Sequence, residues 1–124
     1  MSRRERRKGV EGEREVAVLL ERFGFDVRGL EAGGDIVAVT GLLRLQVECK
    51  RQETARPWLW GEQALRDVLP GHLPIVAMRR SRGPWWALSP LPATLYTLAN
   101  GTTHRLPDLG AVASLPAGVG HPTC

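Results

Sequence analysis

Apolar residues between positions 11 and 23 recur at Val16, Leu19, Leu20 and Phe23. That is the spacing of a helix with one apolar stripe, and Gly24 follows as its C-terminal cap. The period then changes. Phe25 and Val27 alternate with Asp26 and Arg28, predicting a first strand over residues 25–30. A glycine-rich segment to Gly34 leads into a second strand over 35–40. In residues 43–50, Leu43, Leu45, Val47 and Cys49 alternate with Arg44, Gln46, Glu48 and Lys50, the pattern of a strand with one buried face. The short break at Gly41 and Leu42 makes strands two and three an antiparallel hairpin. Pro57 opens a second helix to about Leu69, stopped by Pro70 and Gly71. Two more strands, 73–78 and 85–89, flank an arginine-rich turn, and a short helix is expected over 93–99.

This order predicts an α+β sandwich in which helices flank a central mixed five-stranded sheet. A chain of 124 residues, 43% apolar, holds one core. We expect one domain over residues 1–100, preceded by a flexible basic arm at 1–8. The Gly/Pro/Ala-rich tail, 101–124, is expected to pack loosely or be disordered.

The polar residues that share these elements carry the chemistry. Successive helical residues are turned by about 100°, so Glu13 falls about 60° from Val16, near the middle of the apolar stripe. Glu11, Glu15 and Glu21 fall outside it. Glu13 is therefore the acid aimed at the interior, where an unpaired carboxylate is costly. On the third strand Glu48 and Lys50 point the same way, and Asp35 heads the strand beside it. Carboxylates of Asp35 and Glu48, with the Cys49 backbone carbonyl, are hard oxygen ligands of the kind that suit Mg²⁺, with Mn²⁺ as a substitute. Glu13 would join them directly or through water. Lys50 could hold a water or neutralise a phosphate. Taken singly, each of these residues is more often an ordinary salt-bridge or surface residue; their joint placement is what points to a site.

The 17 basic residues exceed 13 acidic ones, for a net charge of +4. Arg3, Arg4, Arg6, Arg7 and Lys8 crowd one end, and Arg79, Arg80 and Arg82 the predicted turn. Such clusters bind phosphate backbones by releasing counterions, and they equally make ordinary solvated faces. With Arg51 they are candidate nucleic-acid phosphate contacts, and Gln63 on the second helix reads equally as a solvated residue or as one that reaches the site. Only Lys8 and Lys50 are lysines, which is a weak sign that a compact ammonium is wanted at position 50. Cys49 and Cys124 form neither a disulfide framework nor a zinc spacing. Four tryptophans, Trp58, Trp60, Trp85 and Trp86, suggest core or dimer-interface packing. His72, His104 and His121 are scattered and suggest no ligand set. No apolar run approaches membrane-spanning length and no signal-peptide pattern is present, so a soluble cytoplasmic, intracellular protein is expected.

Lys8-Gly9, Glu13-Arg14-Glu15, Gly24-Phe25, Gly34-Asp35-Ile36-Val37-Ala38 and Val47-Glu48-Cys49-Lys50 together resemble the archaeal-type Holliday junction resolvases of the PD-(D/E)XK nuclease superfamily. The resemblance runs over about residues 8–90. It implies a restriction-endonuclease-like core and a homodimeric, Mg²⁺-dependent endonuclease that cuts four-way DNA junctions symmetrically. It places the catalytic positions at Glu13, Asp35, Glu48 and Lys50. Gly34 stands where the superfamily carries Pro, and the segment 29–34 lacks the Ser usual in the resolvases. Two other readings are a repair or recombination nuclease of the same superfamily acting on flaps or ends, and a DNA-binding protein on a nuclease scaffold that no longer cuts.

Overall fold

The computed structural model describes residues 3–29 and 35–100, of which residues 3–10 are described by backbone alone. Helix α1 spans Arg3–Arg22 and ends at Gly24, whose φ is 94°. The Phe25 amide donates to the Leu20 carbonyl and the Gly24 amide to that of Glu21, the paired bonds of a Schellman cap. The helix begins well before Glu11: the backbone is helical from Arg3, so residues 3–8 of the expected flexible arm belong to α1. Arg, Glu and Lys are good helix formers, and this stretch continues a helix already nucleated by packing.

The strands are β1 (Asp26–Gly29), β2 (Ile36–Thr40), β3 (Leu43–Arg51), β4 (Leu73–Arg79) and β5 (Trp86–Leu88), in spatial order β1-β2-β3-β4-β5. All neighbours are antiparallel except β3 and β4. The fold is thus the expected α+β arrangement around a mixed five-stranded sheet. The hairpin between β2 and β3 turns at Gly41, whose φ of 54° suits the first central position of a two-residue loop. Parallel strands need a crossover, and helix α2 (Pro57–Arg66) supplies it. This helix is shorter than expected: Asp67 is its C-cap, and residues 67–69 belong to the connection to β4. Helix α3, Leu91–Asn100, follows β5. The tail from 101, the segment 30–34 and the positions of Cys124, His104 and His121 lie outside the described residues.

Alternation along the strands sorts the core into two clusters on opposite faces. Val16 of α1 packs with Ile36, Ala38, Leu45, Val47 and Ala77 on one face. Trp60 and Ala64 of α2 pack with Val76 on the other. The expectation of one buried face for β3 is therefore corrected. As an interior strand beside a parallel partner it is covered on both sides, and even Gln46, on its polar alternate, is buried.

Candidate active site

Gly12 brings α1 down onto the end of β3. A Cβ there would stand 3.4 Å from the Trp85 ring and 3.6 Å from Cβ of Arg51. The next residue, Glu13, is half-buried. Its carboxyl is held above the ordinary carboxylate range, first by burial and then by the charge of Asp35. Asp35 lies just before β2. Because Ile36 pairs with Val47, one further step along the antiparallel ladder sets Asp35 abreast of Glu48.

Glu48 and Lys50 share the α2 face of β3, as their alternation requires, with Lys50 Nζ 3.1 Å from Glu48 Oε1. Both side chains are about a quarter exposed, at 24%. The Lys50 ammonium also lies 5.9 Å from the centroid of the Trp60 ring. Between Glu48 and Lys50, Cys49 turns towards α1. Its thiol is pushed up to about 12 by burial, then by the charges of Glu13, Asp35 and Glu48. All three predicted carboxylates thus lie near enough for their charges to raise this thiol. Together with Lys50 they gather around the C-terminal half of β3, although α1 and α2 lie on opposite sheet faces.

The donor chemistry of this cluster fits a hard divalent cation. Repulsion between Glu13 and Asp35 is of the kind that such a charge relieves. Among the described residues, no three acidic, histidine or cysteine side chains converge closely enough to form a ready-made cage. The expected three-carboxylate set is therefore not closed: Glu48 is engaged by Lys50, and Asp35 by Gln46. Mg²⁺ commonly takes one or two carboxylates and keeps several waters, so a pair such as Asp35 and Glu48 would match its usual demand without a third.

Two further residues shape the site, and the sequence pattern passed over both. Gln46 Nε2 donates to Asp35 Oδ2 at 3.1 Å. Glu15, placed outside the apolar stripe by the helical wheel, is in fact only 23% exposed along its side chain. Its Oε2 accepts from Arg79 Nη1 at 2.5 Å and from Trp85 Nε1 at 3.0 Å, and its Oε1 stands 3.6 Å from Arg51. Arg51 also bonds Glu11 at 3.2 Å. The available signal was complementarity: a half-buried indole N–H needs an acceptor.

The remaining candidates separate by exposure. Arg51 and Arg79 are tied to acids of α1, whereas Arg80 and Arg82 are exposed on the turn between β4 and β5. Glu53 holds that turn by accepting from the amide and hydroxyl of Ser81. Gln63 is half-buried on α2. Of Arg3, Arg4, Arg6, Arg7 and Lys8 the backbone alone is described. Trp60 is core, Trp85 packs under α1, and Trp58 and Trp86 are exposed at 84% and 65%. No helix among the described residues is long and apolar enough to cross a membrane.

A mixed sheet carrying acids and a lysine at one edge of its central strand is a scaffold on which phosphodiester chemistry can be built. In its fold, the chain is similar to a solved structure, that of Hjc from Archaeoglobus fulgidus, a Holliday junction resolvase from an archaeal hyperthermophile. The match has a TM-score of 0.55 at 28% sequence identity, covering 66% of this chain and 72% of that one. No protein-family model matches the sequence, and no curated protein does.

Proposed function

We propose that this protein is a metal-dependent, structure-specific DNA endonuclease that resolves four-way junctions by paired phosphodiester hydrolysis. The observation that carries this reading is the gathering of Glu13, Asp35, Glu48 and Lys50 around one strand end, in a fold similar to that of a Holliday junction resolvase. In the reaction, a water oxygen bonds to phosphorus as one P–O ester bond breaks, leaving a hydroxyl and a phosphate monoester. Asp35 and Glu48 would hold Mg²⁺ or Mn²⁺, which when bound supplies positive charge and a more acidic water. Lys50 lies where an ammonium can orient the attacking water or meet a non-bridging phosphate oxygen, and Glu48 and Trp60 fix its direction. Arg80 and Arg82, on the exposed turn beyond β4, suit contacts with the backbone of branched DNA, joined by the basic start of α1. Paired nicks require two sites, so the active species is a homodimer.

The test is cleavage of labelled four-way junctions, flaps and linear duplex with and without Mg²⁺. We expect symmetric nicks in the junction only, with Asp35→Asn and Lys50→Ala slowed by about 10²–10⁴-fold. Equal cutting of flaps would overturn the junction specificity, and binding without cutting in Mg²⁺ or Mn²⁺ would overturn the enzyme.

A further inference from the structure

Gln46 is a buried polar side chain in the middle of β3, 6% exposed, and its amide is fully engaged. Oε1 accepts from the Leu69 amide at 2.8 Å. Nε2 donates to the Asp67 carbonyl at 3.1 Å and to Asp35 Oδ2 at 3.1 Å. These three partners fix which way the amide faces. The Leu69 N–H can only donate, and the Asp67 carbonyl and an ionised Asp35 can only accept, so the flipped amide would lose all three bonds.

We infer that Gln46 is the positioning residue for Asp35, and that it ties the carboxylate's geometry to the connection between α2 and β4. The inference rests on the nuclease reading of this site. A bond from an amide to an ionised carboxylate is charge-assisted and directional. It engages one of the two carboxylate oxygens, Oδ2. Asp35 stands just before β2, outside a regular element, whereas Gln46 is held by the strand at one end and by Asp67 and Leu69 at the other. Its Cα lies in the central strand, opposite Val37 and beside Pro74. Its amide is clamped by Asp67 and Leu69, where α2 has just ended and the chain turns back at Leu69 to His72. The rigid part of the molecule thereby reaches the one site carboxylate that sits outside a regular element. Groups that orient a metal ligand in this way change metal affinity by about 10–100-fold when removed.

The experiment compares the full-length protein with Gln46→Met, which keeps the length and removes the donors. Mn²⁺ affinity is measured directly by titration, and junction cleavage is followed as a function of Mg²⁺. Val37→Ala serves as a control, because Val37 is buried opposite Gln46 and its truncation disturbs the same place without touching the Asp35 bond. We expect Gln46→Met to weaken Mn²⁺ binding and raise the Mg²⁺ needed for half-maximal cleavage by about 10-fold or more, with rates approaching wild type at saturating Mg²⁺. Val37→Ala should leave the metal requirement unchanged. Should Gln46→Met not fold, Gln46→Asn keeps an amide but is one methylene short, and the same shift is expected. A folded Gln46 variant with wild-type Mn²⁺ affinity and Mg²⁺ dependence overturns the inference while leaving the nuclease reading intact. A wild-type protein that binds no Mn²⁺ and cuts nothing overturns both.

Discussion

The Lys50 ammonium stands 5.9 Å from the centroid of the Trp60 ring and 3.1 Å from Glu48 Oε1. One contact is with the most buried aromatic of α2 and the other with a neighbour on the same strand. The lysine is thus pointed by two elements, which limits the directions its long side chain can take. A four-carbon stem held in this way loses rotamer freedom on folding.

Trp60 should therefore matter twice. Trp60→Ala removes a side chain only 3% exposed, and we expect a loss of about 3–5 kcal/mol in urea unfolding. Trp60→Leu keeps an apolar filling and removes the π face. It should cost less stability and still slow junction cleavage by about 5-fold, the equivalent of a cation–π contact of about 1 kcal/mol. Cleavage by Trp60→Leu at the wild-type rate would show that Glu48 alone orients Lys50.

Glu15 joins α1 to the far half of the sheet, since it accepts from Arg79 of β4 and from Trp85 just before β5. Glu15→Ala leaves two partly buried guanidinium groups and an indole N–H short of an acceptor. About 1–3 kcal/mol of stability should be lost, read from the urea midpoint at constant slope. Glu15→Gln keeps an acceptor and should lose less. If both variants unfold like wild type, water replaces the carboxylate without cost.

The contrast between Glu13 and Glu15 shows how far the sequence carries. The order of elements along the chain and the β2–β3 hairpin follow from local periods; alternation put Glu48 and Lys50 on one face of β3, and the helical stripe turned Glu13 inward. Glu15 escaped because a helical wheel knows one apolar direction, whereas the flank of α1 is covered by Trp85, more than sixty residues away in the chain. Gln46 escaped for a related reason. Its polar alternate looked like a solvent face, but the connection after α2 engages it through Asp67 and Leu69, and that return of the chain is a tertiary event. The helical start of α1 was hidden by its own charge, which reads equally well as a solvated arm.

Cys49 should be a poor nucleophile despite being only half-buried. A thiol pushed up to about 12 is ionised in roughly one molecule in ten thousand at pH 8. Iodoacetamide should therefore modify the Cys49 peptide orders of magnitude more slowly in the native protein than in urea, as followed by peptide mass spectrometry. Because the folded thiol binds its proton more tightly than the unfolded one, Cys49 contributes stability below its ordinary value, and this is lost as pH rises towards 12. Rapid native alkylation at pH 8 would contradict the burial and the nearby negative charge that hold this thiol protonated.

Burial of Glu13 carries a stability cost that pH should expose. Its folded carboxyl is raised first by burial and then by Asp35, so above the ordinary carboxylate value the folded state holds a proton that the unfolded state has released. Stability therefore falls as pH rises from that ordinary value through the raised one. Glu13→Gln removes the titration. Without added metal, the variant should gain stability relative to wild type as pH rises through this window, and the two should converge in acid, measured by urea unfolding across the pH range. The same variant should cut junctions about 10²-fold more slowly in Mg²⁺ if the carboxylate acts in the site. A variant that is less stable than wild type at neutral pH would mean that Glu13 is satisfied by its surroundings and carries no penalty for burial.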